Sequence, residues 1–125
     1  MNNNSPNAAE WFEIPTADIH KAVLFYNQVL GLALEARQFG PNTIAIFPYN
    51  EPAPGGCLMQ GPDMVPSGIG SVVYLSTRNI DHALAQVVAA SGAISVPKTP
   101  IGPDRGFFAR FRDLEGNLVG LAGQG

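Results

Sequence analysis

Two side chains that could do chemistry occupy matching places in two similar stretches of this sequence. Glu13 lies in WFEIPTADIHKAVLFYNQVLG, residues 11–31, and Tyr74 lies in VVYLSTRNIDHALAQVVAASG, residues 72–92, so an offset of 61 residues relates them. A carboxylate can deprotonate or orient a bound molecule, and a phenol can donate a hydrogen bond to it. The structural alternative is a carboxylate paired with Tyr74 or with a basic residue such as Arg110.

Three further reactive side chains carry weaker signals. His20 and His82 lie early in the predicted helices and off their apolar stripes, so we expect both to face solvent. Cys57 has no neighbouring basic residue in the sequence that would lower its pKa. A buried, inert thiol is therefore favoured over a nucleophile.

Each repeated stretch predicts a strand followed by a helix, because its apolar period changes from two to 3.6 residues. Asp18 and Asn79 stand at the change, and each is a good N-cap residue. Gly31 and Gly92 follow the apolar stripes and are predicted to end the helices in the left-handed conformation.

Three extended segments follow each helix, so the predicted order is strand, helix, strand, strand, strand, performed twice. The Gly/Pro-rich segment GPDMVPSGIG reads as the linker between the halves. The predicted organisation is a disordered tail and one domain, divided as tail 1–9, module one 10–61, linker 62–69 and module two 70–124, with the domain ending at 125.

Composition excludes several classes of function. The chain of 125 residues has a net charge of −3 and only seven basic residues, which do not cluster, so nucleic acid is not an expected partner. Apolar stretches are far shorter than the roughly 20 residues of a membrane span. The single cysteine cannot form an internal disulfide, and the N-terminus lacks the pattern of a signal peptide, so a cytoplasmic location is expected.

The repeated order, with the opening IPTADIHKAVLFYNQVLG and the ending FRDLEGNLVGL, resembles the vicinal oxygen chelate superfamily. That superfamily includes glyoxalase I, bleomycin-resistance proteins and extradiol dioxygenases. The most specific parts of the resemblance, which covers about residues 10–123, are Asp18, the Phe25–Tyr26 pair, and the turn from Asp113 to Asn117 followed by Leu121. The resemblance implies an α+β fold in which two βαβββ modules pair into an open, cup-shaped mixed sheet, and it implies that a homodimer is possible.

Strand alternation assigns the faces of the first strand in each module. Phe12 and Ile14 share the parity that must cover the helix, which turns Trp11 and Glu13 towards the cup implied by the resemblance. The offset of 61 turns Val72 and Tyr74 the same way. In each module, the surface that carries Trp11 and Glu13, or Val72 and Tyr74, is called the cup face. The opposite surface, which covers the helix, is called the helix face. An apolar cup would desolvate Glu13 and raise its pKa.

Enzymes of the superfamily hold a divalent metal with His, Glu or Gln from the first and last strands of each module. The resemblance places those four positions at Trp11, Met59, Val72 and Gly120, none of which is a hard ligand. A shift of register in the first module would substitute Cys57 for Met59. We therefore expect no metal site and no cofactor, although a divalent metal remains an alternative.

The candidate ligand-binding residues follow from these faces: Trp11, Glu13, Cys57, Met59, Val72, Tyr74, Arg110 and Gly120, with Glu13 and Tyr74 as the candidate catalytic pair. The residues Trp11, Met59, Phe107 and Phe111 form either an aromatic ligand cage or plain core. Arg110 and Arg112 either hold an anionic group at the cup mouth or lie on a solvated strand face.

Three functions remain open from the sequence. The favoured one is metal-independent binding of a small, partly apolar or aromatic molecule oriented by Glu13. The alternative is a lyase, isomerase or dioxygenase that acts on vicinal oxygen atoms with a metal or with Glu13 as base. The third is a protein-interaction role with a vestigial cup.

Overall fold

A computed structural model of the protein describes residues 8–50 and 54–125. Each module contains the predicted strand, helix and three further strands, which confirms the α+β fold of two βαβββ modules. Module one consists of β1 (Trp11–Pro15), α1 (Ile19–Leu30), β2 (Arg37–Phe39), β3 (Asn42–Ile46) and β4 (Gly55–Gln60). Module two consists of β5 (Val73–Ser76), α2 (Ile80–Ala89), β6 (Ala93–Pro100), β7 (Phe107–Arg112) and β8 (Leu118–Gly123). Most of the predicted tail 1–9 and part of the loop before β4 lie outside the described residues.

The strands form two mixed four-stranded sheets, with the orders β1-β4-β3-β2 and β5-β8-β7-β6. The first and last strands of each module pair in parallel, and the other pairs are antiparallel. The two sheets are not joined into a closed barrel. Neither helix among the described residues is long and apolar enough to cross a membrane.

Both predicted N-caps are present. The side chain of Asp18 accepts a hydrogen bond from the N–H of Lys21 at 3.2 Å, and Asn79 accepts one from the N–H of His82 at 2.9 Å. At the C-terminus of α1, Gly31 has a φ of 64°, as predicted. These local signals set the beginning of both helices and the end of the first.

The predicted end of α2 is wrong by one residue. Ser91, not Gly92, takes the left-handed conformation, with a φ of 73°. Gly92 is needed for a different reason: a Cβ atom there would lie 2.8 Å from the carbonyl oxygen of Arg112 and 3.0 Å from the ring of Phe25. The absence of a side chain lets the chain pass close to β7 and α1.

The helix faces of both sheets contribute to one core. Ile14 and Leu58 of module one and Leu75 and Leu121 of module two belong to the same buried cluster, which also contains the apolar stripes of both helices. This confirms the alternation predicted for β1 and β5. Phe111 is fully buried in this cluster and Phe107 packs against it, so these two rings belong to the core and not to a ligand cage.

The turn between β7 and β8 ties the modules together through buried polar groups. Asp113 accepts a hydrogen bond from the hydroxyl of Tyr26 in α1 at 2.8 Å. Asn117 donates its Nδ2–H to the carbonyl oxygen of Pro15 at 2.8 Å and to Asp113 at 3.0 Å. Burial, followed by the charge of Asp113, raises the pKa of Tyr26 well above its ordinary value.

The same turn also caps α1 from the other module. The carboxylate of Glu115 accepts hydrogen bonds from the hydroxyl of Thr16 and from the N–H groups of Ala17 and Asp18, the last at 3.2 Å. A negative charge at the N-terminus of a helix is favourable because the first N–H groups lack partners within the helix. Module two therefore stabilises the first turn of the helix in module one.

Candidate functional site

The cup face of module one presents Trp11 and Glu13 to solvent. Pairing of β1 with β4 places Trp11 opposite Gly55 and Glu13 opposite Cys57. Trp11 is 41% exposed. Its ring packs against the ring of Tyr49 in a T-shaped arrangement, with 6.1 Å between the ring centroids. Glu13 is exposed as well, so the burial expected for this carboxylate is not observed within the chain.

Cys57 and Met59 lie on the neighbouring strand β4, where Cys57 pairs with Glu13, and both are buried. They pack with Ile44 in a small cluster of their own. Burial, and secondarily the negative charge of Glu13, raises the pKa of the Cys57 thiol from 9.0 to about 11. A thiol of that kind is protonated at neutral pH and is not a nucleophile. Cys57 and Met59 are therefore buried, unreactive side chains on this face of module one.

The cup face of module two holds an ordered arginine. Arg110 donates its Nε–H to the hydroxyl of Tyr74 at 2.6 Å. Its guanidinium carbon lies 5.6 Å from the ring centroid of Tyr74 and 5.8 Å from that of Phe108, within the range of cation–π contacts. β8 lies between β5 and β7, and its Gly120 pairs with both Tyr74 and Arg110.

Gly120 makes room for the ring of Tyr74. A Cβ atom at this position would lie 2.2 Å from Cδ2 of Tyr74, so any larger side chain at 120 would displace the ring. Gly120 is the position that the resemblance assigns to a metal-binding Glu, and here an aromatic ring fills that space. Among residues 8–50 and 54–125 no group of three His, Cys, Asp or Glu side chains could hold a metal ion. The four expected positions, Trp11, Met59, Val72 and Gly120, carry no hard ligand and do not fit the divalent metal of the family.

A cavity of about 310 Å³ opens on this face, and its five lining residues are called the aromatic shelf: Tyr74, Ile101, Phe108, Arg110 and Ala122. Sequence reasoning found Tyr74 and Arg110 but missed Phe108 and Ile101. Phe108 shares the strand parity of Arg110, so the alternation could have revealed it. Ile101 follows the end of β6, where no periodicity applies. Val72, also a candidate, is half-buried just before β5.

Two grooves of about 190 and 180 Å³ run along the contact between the modules. The first is lined by residues of both modules, among them Glu13, Pro15, Val73 and Val119. The second is also lined by both modules, among them Tyr74, Ser76, Phe12 and Phe47. Glu13 and Tyr74 thus line different grooves.

Glu13 also lacks the partners that the structural alternative required. Neither Tyr74 nor Arg110 forms a hydrogen bond or ion pair with it in the part of the chain that the structure describes. Arg110 and Tyr74 bond to each other instead. The structure accordingly brings Tyr74, Arg110 and Gly120 together on one face and Trp11, Glu13, Cys57 and Met59 on the other.

The remaining polar candidates lie outside these faces or are already engaged. His20 and His82 are exposed on the helices, as predicted. Arg112 extends its Nη1 towards the carbonyl oxygens of Gly68 and Gly116, at 3.4 and 3.5 Å, and so contacts the linker and the β7–β8 turn. Of the two arginines on this strand face, Arg110 lines the aromatic shelf and Arg112 does not.

Residues 8–121 match the family model of the glyoxalase/bleomycin resistance protein/dioxygenase superfamily. No curated protein matches this sequence significantly. Many solved structures share the fold.

A mutant of glyoxalase I from Zea mays is 19% identical with a TM-score of 0.71, over 98% of this chain and 48% of that one. This chain thus spans about half the length of the maize enzyme. A glyoxalase/bleomycin resistance protein from Streptomyces sp. CB03234 is 27% identical with a TM-score of 0.61, over 92% of this chain and 99% of that one. TnmS3, described as an antibiotic binding protein from the same organism, is 20% identical with a TM-score of 0.60, over 97% and 98% of the two chains.

Proposed function

Because the chain belongs to the glyoxalase/bleomycin resistance protein/dioxygenase superfamily, we propose that it binds a small, partly apolar or aromatic molecule on its cup faces. The proposal does not include a bound metal ion. Binding, and not a chemical step, is the function that the site geometry supports best.

The observation that carries this proposal is the exposure of aromatic rings on both cup faces. Trp11 and Tyr74 are 41% and 40% exposed, although both lie on strands whose opposite face is core. Covering roughly 100 Å² of apolar surface would contribute about 2.5 kcal/mol to binding. Exposed rings grouped around a cavity are typical of ligand sites.

The relatives of similar length support the same function. TnmS3 is described as an antibiotic binding protein, and both chains are matched almost completely. For this chain the ligand class remains a small aromatic or apolar molecule.

We further propose that a homodimer completes the site. Within one chain Glu13 and Tyr74 line different grooves, so a single chain does not place both cup faces around one ligand. A second copy that places its module-one face opposite the module-two face of the first would enclose the ligand and cover the exposed rings. Light scattering should then give twice the chain mass of 13.2 kDa. A monomer mass in the presence of a bound ligand would contradict this part.

Calorimetric titration with anthracenemethanol, a neutral aromatic probe, tests the binding function. The protein should bind the probe equally well before and after treatment with EDTA. Tyr74→Ala should weaken binding by about tenfold, because the lost contact between two aromatic rings contributes about 1.4 kcal/mol. Leu24→Ala, at a 70% exposed position on α1, is the matched control and should leave the affinity unchanged. Binding that requires added Zn²⁺ or Ni²⁺ would contradict the proposal.

A further inference from the structure

We infer that the aromatic shelf selects an aromatic carboxylate, with Arg110 as the residue that binds the acid group. This inference rests on the proposed binding function and narrows its ligand class. It is carried by the geometry of Arg110, by the distribution of charge around it and by the apolar lining of the cavity.

Arg110 is held in place before any ligand arrives. Its Nε–H is donated to Tyr74, and the guanidinium plane lies near the rings of Tyr74 and Phe108. The two Nη groups donate to no other residue within 8–50 and 54–125. Two parallel N–H donors on an oriented guanidinium match the two oxygens of a carboxylate. Because Tyr74 fixes the guanidinium, the conformational entropy lost on binding is small.

Within one chain, no carboxylate of the described residues forms an ion pair with Arg110. The strand positions that share the parity of Arg110 on β5, β7 and β8 hold two arginines and no acidic residue: Tyr74, Ser76, Phe108, Arg110, Arg112, Leu118, Gly120 and Ala122. In the turn after β7, Asp113 bonds to Tyr26, and Glu115 bonds to the backbone just before α1. Asp104, in the loop after Ile101, forms no ion pair with Arg110 in the described part of the chain. An acidic ligand would therefore supply a counter-charge that the chain's own side chains do not give Arg110.

The cavity lining distinguishes an aromatic acid from a small inorganic anion. Ile101, Phe108 and Ala122 offer only apolar contacts beside the guanidinium. A hydrated anion such as phosphate would lose water without gaining partners from these side chains. A ring system that carries one carboxylate satisfies both parts of the shelf, and about 310 Å³ is within the usual size of small-molecule sites.

A pair of probes that differ only in charge tests the inference. Anthracenecarboxylate and anthracenemethanol are titrated separately into the protein at neutral pH. The wild type should bind the carboxylate at least tenfold more tightly, because charge-assisted hydrogen bonds exceed neutral ones. Arg110→Gln should lose this preference, so that the two probes bind with about equal affinity. Arg110→Lys keeps the charge but not the planar pair of donors, and it should retain only part of the preference.

Arg112→Gln is the matched control, because Arg112 lies on the same strand face and its guanidinium is directed at backbone carbonyls. It should retain the full preference for the carboxylate. Equal binding of both probes by the wild type, or equal loss of preference in Arg112→Gln, would overturn the inference while leaving the proposed function intact. Failure of the wild type to bind either probe would overturn both.

Discussion

The thiol of Cys57 and the carboxylate of Glu13 lie opposite each other on paired strands, one buried and one exposed. The pKa of Cys57 is raised from 9.0 to about 11, so the folded state favours the neutral thiol. This contribution to stability is complete below pH 9 and is lost as the pH rises through about 11. Between these two pH values the wild type should lose about 2 kcal/mol more of its free energy of unfolding than Cys57→Ala loses. Urea unfolding at a series of pH values measures this difference, and parallel pH profiles would contradict it.

Tyr26 has no solvent exposure, and its hydroxyl bonds to Asp113 at 2.8 Å. Tyr26→Phe removes this donor and leaves a buried carboxylate with one partner fewer, which should lower the free energy of unfolding by about 1–3 kcal/mol. Tyr49→Phe, at an exposed position, should change it by less than about 0.5 kcal/mol. Equal effects of the two substitutions would show that the bond to Asp113 contributes nothing.

Because its pKa is raised, Tyr26 should also remain protonated in native protein at alkaline pH. Its stabilising contribution is complete below about pH 10 and is lost progressively as the pH rises above that value. Ultraviolet titration should therefore detect fewer than the three tyrosines of the sequence until the protein unfolds. Ionisation of all three while the fold is intact would contradict the assignment of Tyr26 to a buried hydrogen bond.

At the scale of elements, α1 depends on a residue from the other module. Glu115→Ala should remove the acceptor of the Thr16 hydroxyl and of the N–H groups of Ala17 and Asp18, which directly precede α1, and lower the free energy of unfolding by about 1–2 kcal/mol. Glu35→Ala, an exposed acidic residue, serves as the control and should have a much smaller effect. Thermal unfolding of both variants decides whether the contact with α1 contributes to stability.

The sequence predicted the elements well where their signals were local. The N-caps Asp18 and Asn79 and the alternation of β1 and β5 depend on neighbouring residues, and all were found. The role of Gly92 could not be read in the same way, because the reason for a glycine there is the approach of Arg112 and Phe25 from distant parts of the chain.

The same limit applies to the candidate site. Alternation predicted that Tyr74 and Arg110 lie on strand faces away from the core, yet their bond to each other depends on the pairing of both strands with β8. The sequence also did not indicate that Glu13 and Tyr74 line different grooves. Contacts between the modules, such as those of Asp113 and Asn117, join residues that are distant in the sequence, so no local pattern reveals them.

At the scale of the whole molecule, the core and the ligand surface are separate. Both helix faces share one buried cluster, which leaves the cup faces free to change without loss of the fold. Solved structures that are less than 30% identical to this chain share its fold. That agrees with a core that is separate from the ligand surface. Substitutions on the aromatic shelf should therefore alter binding more than stability.

The most direct test of ligand binding without a metal is an amide NMR titration of EDTA-treated protein with anthracenemethanol. We predict shifts in residues 72–76, 108–112 and 118–122 and in the indole of Trp11, the single tryptophan of the sequence. An absence of shifts until a divalent metal is added, or shifts confined to the outer surfaces of the helices, would contradict this account.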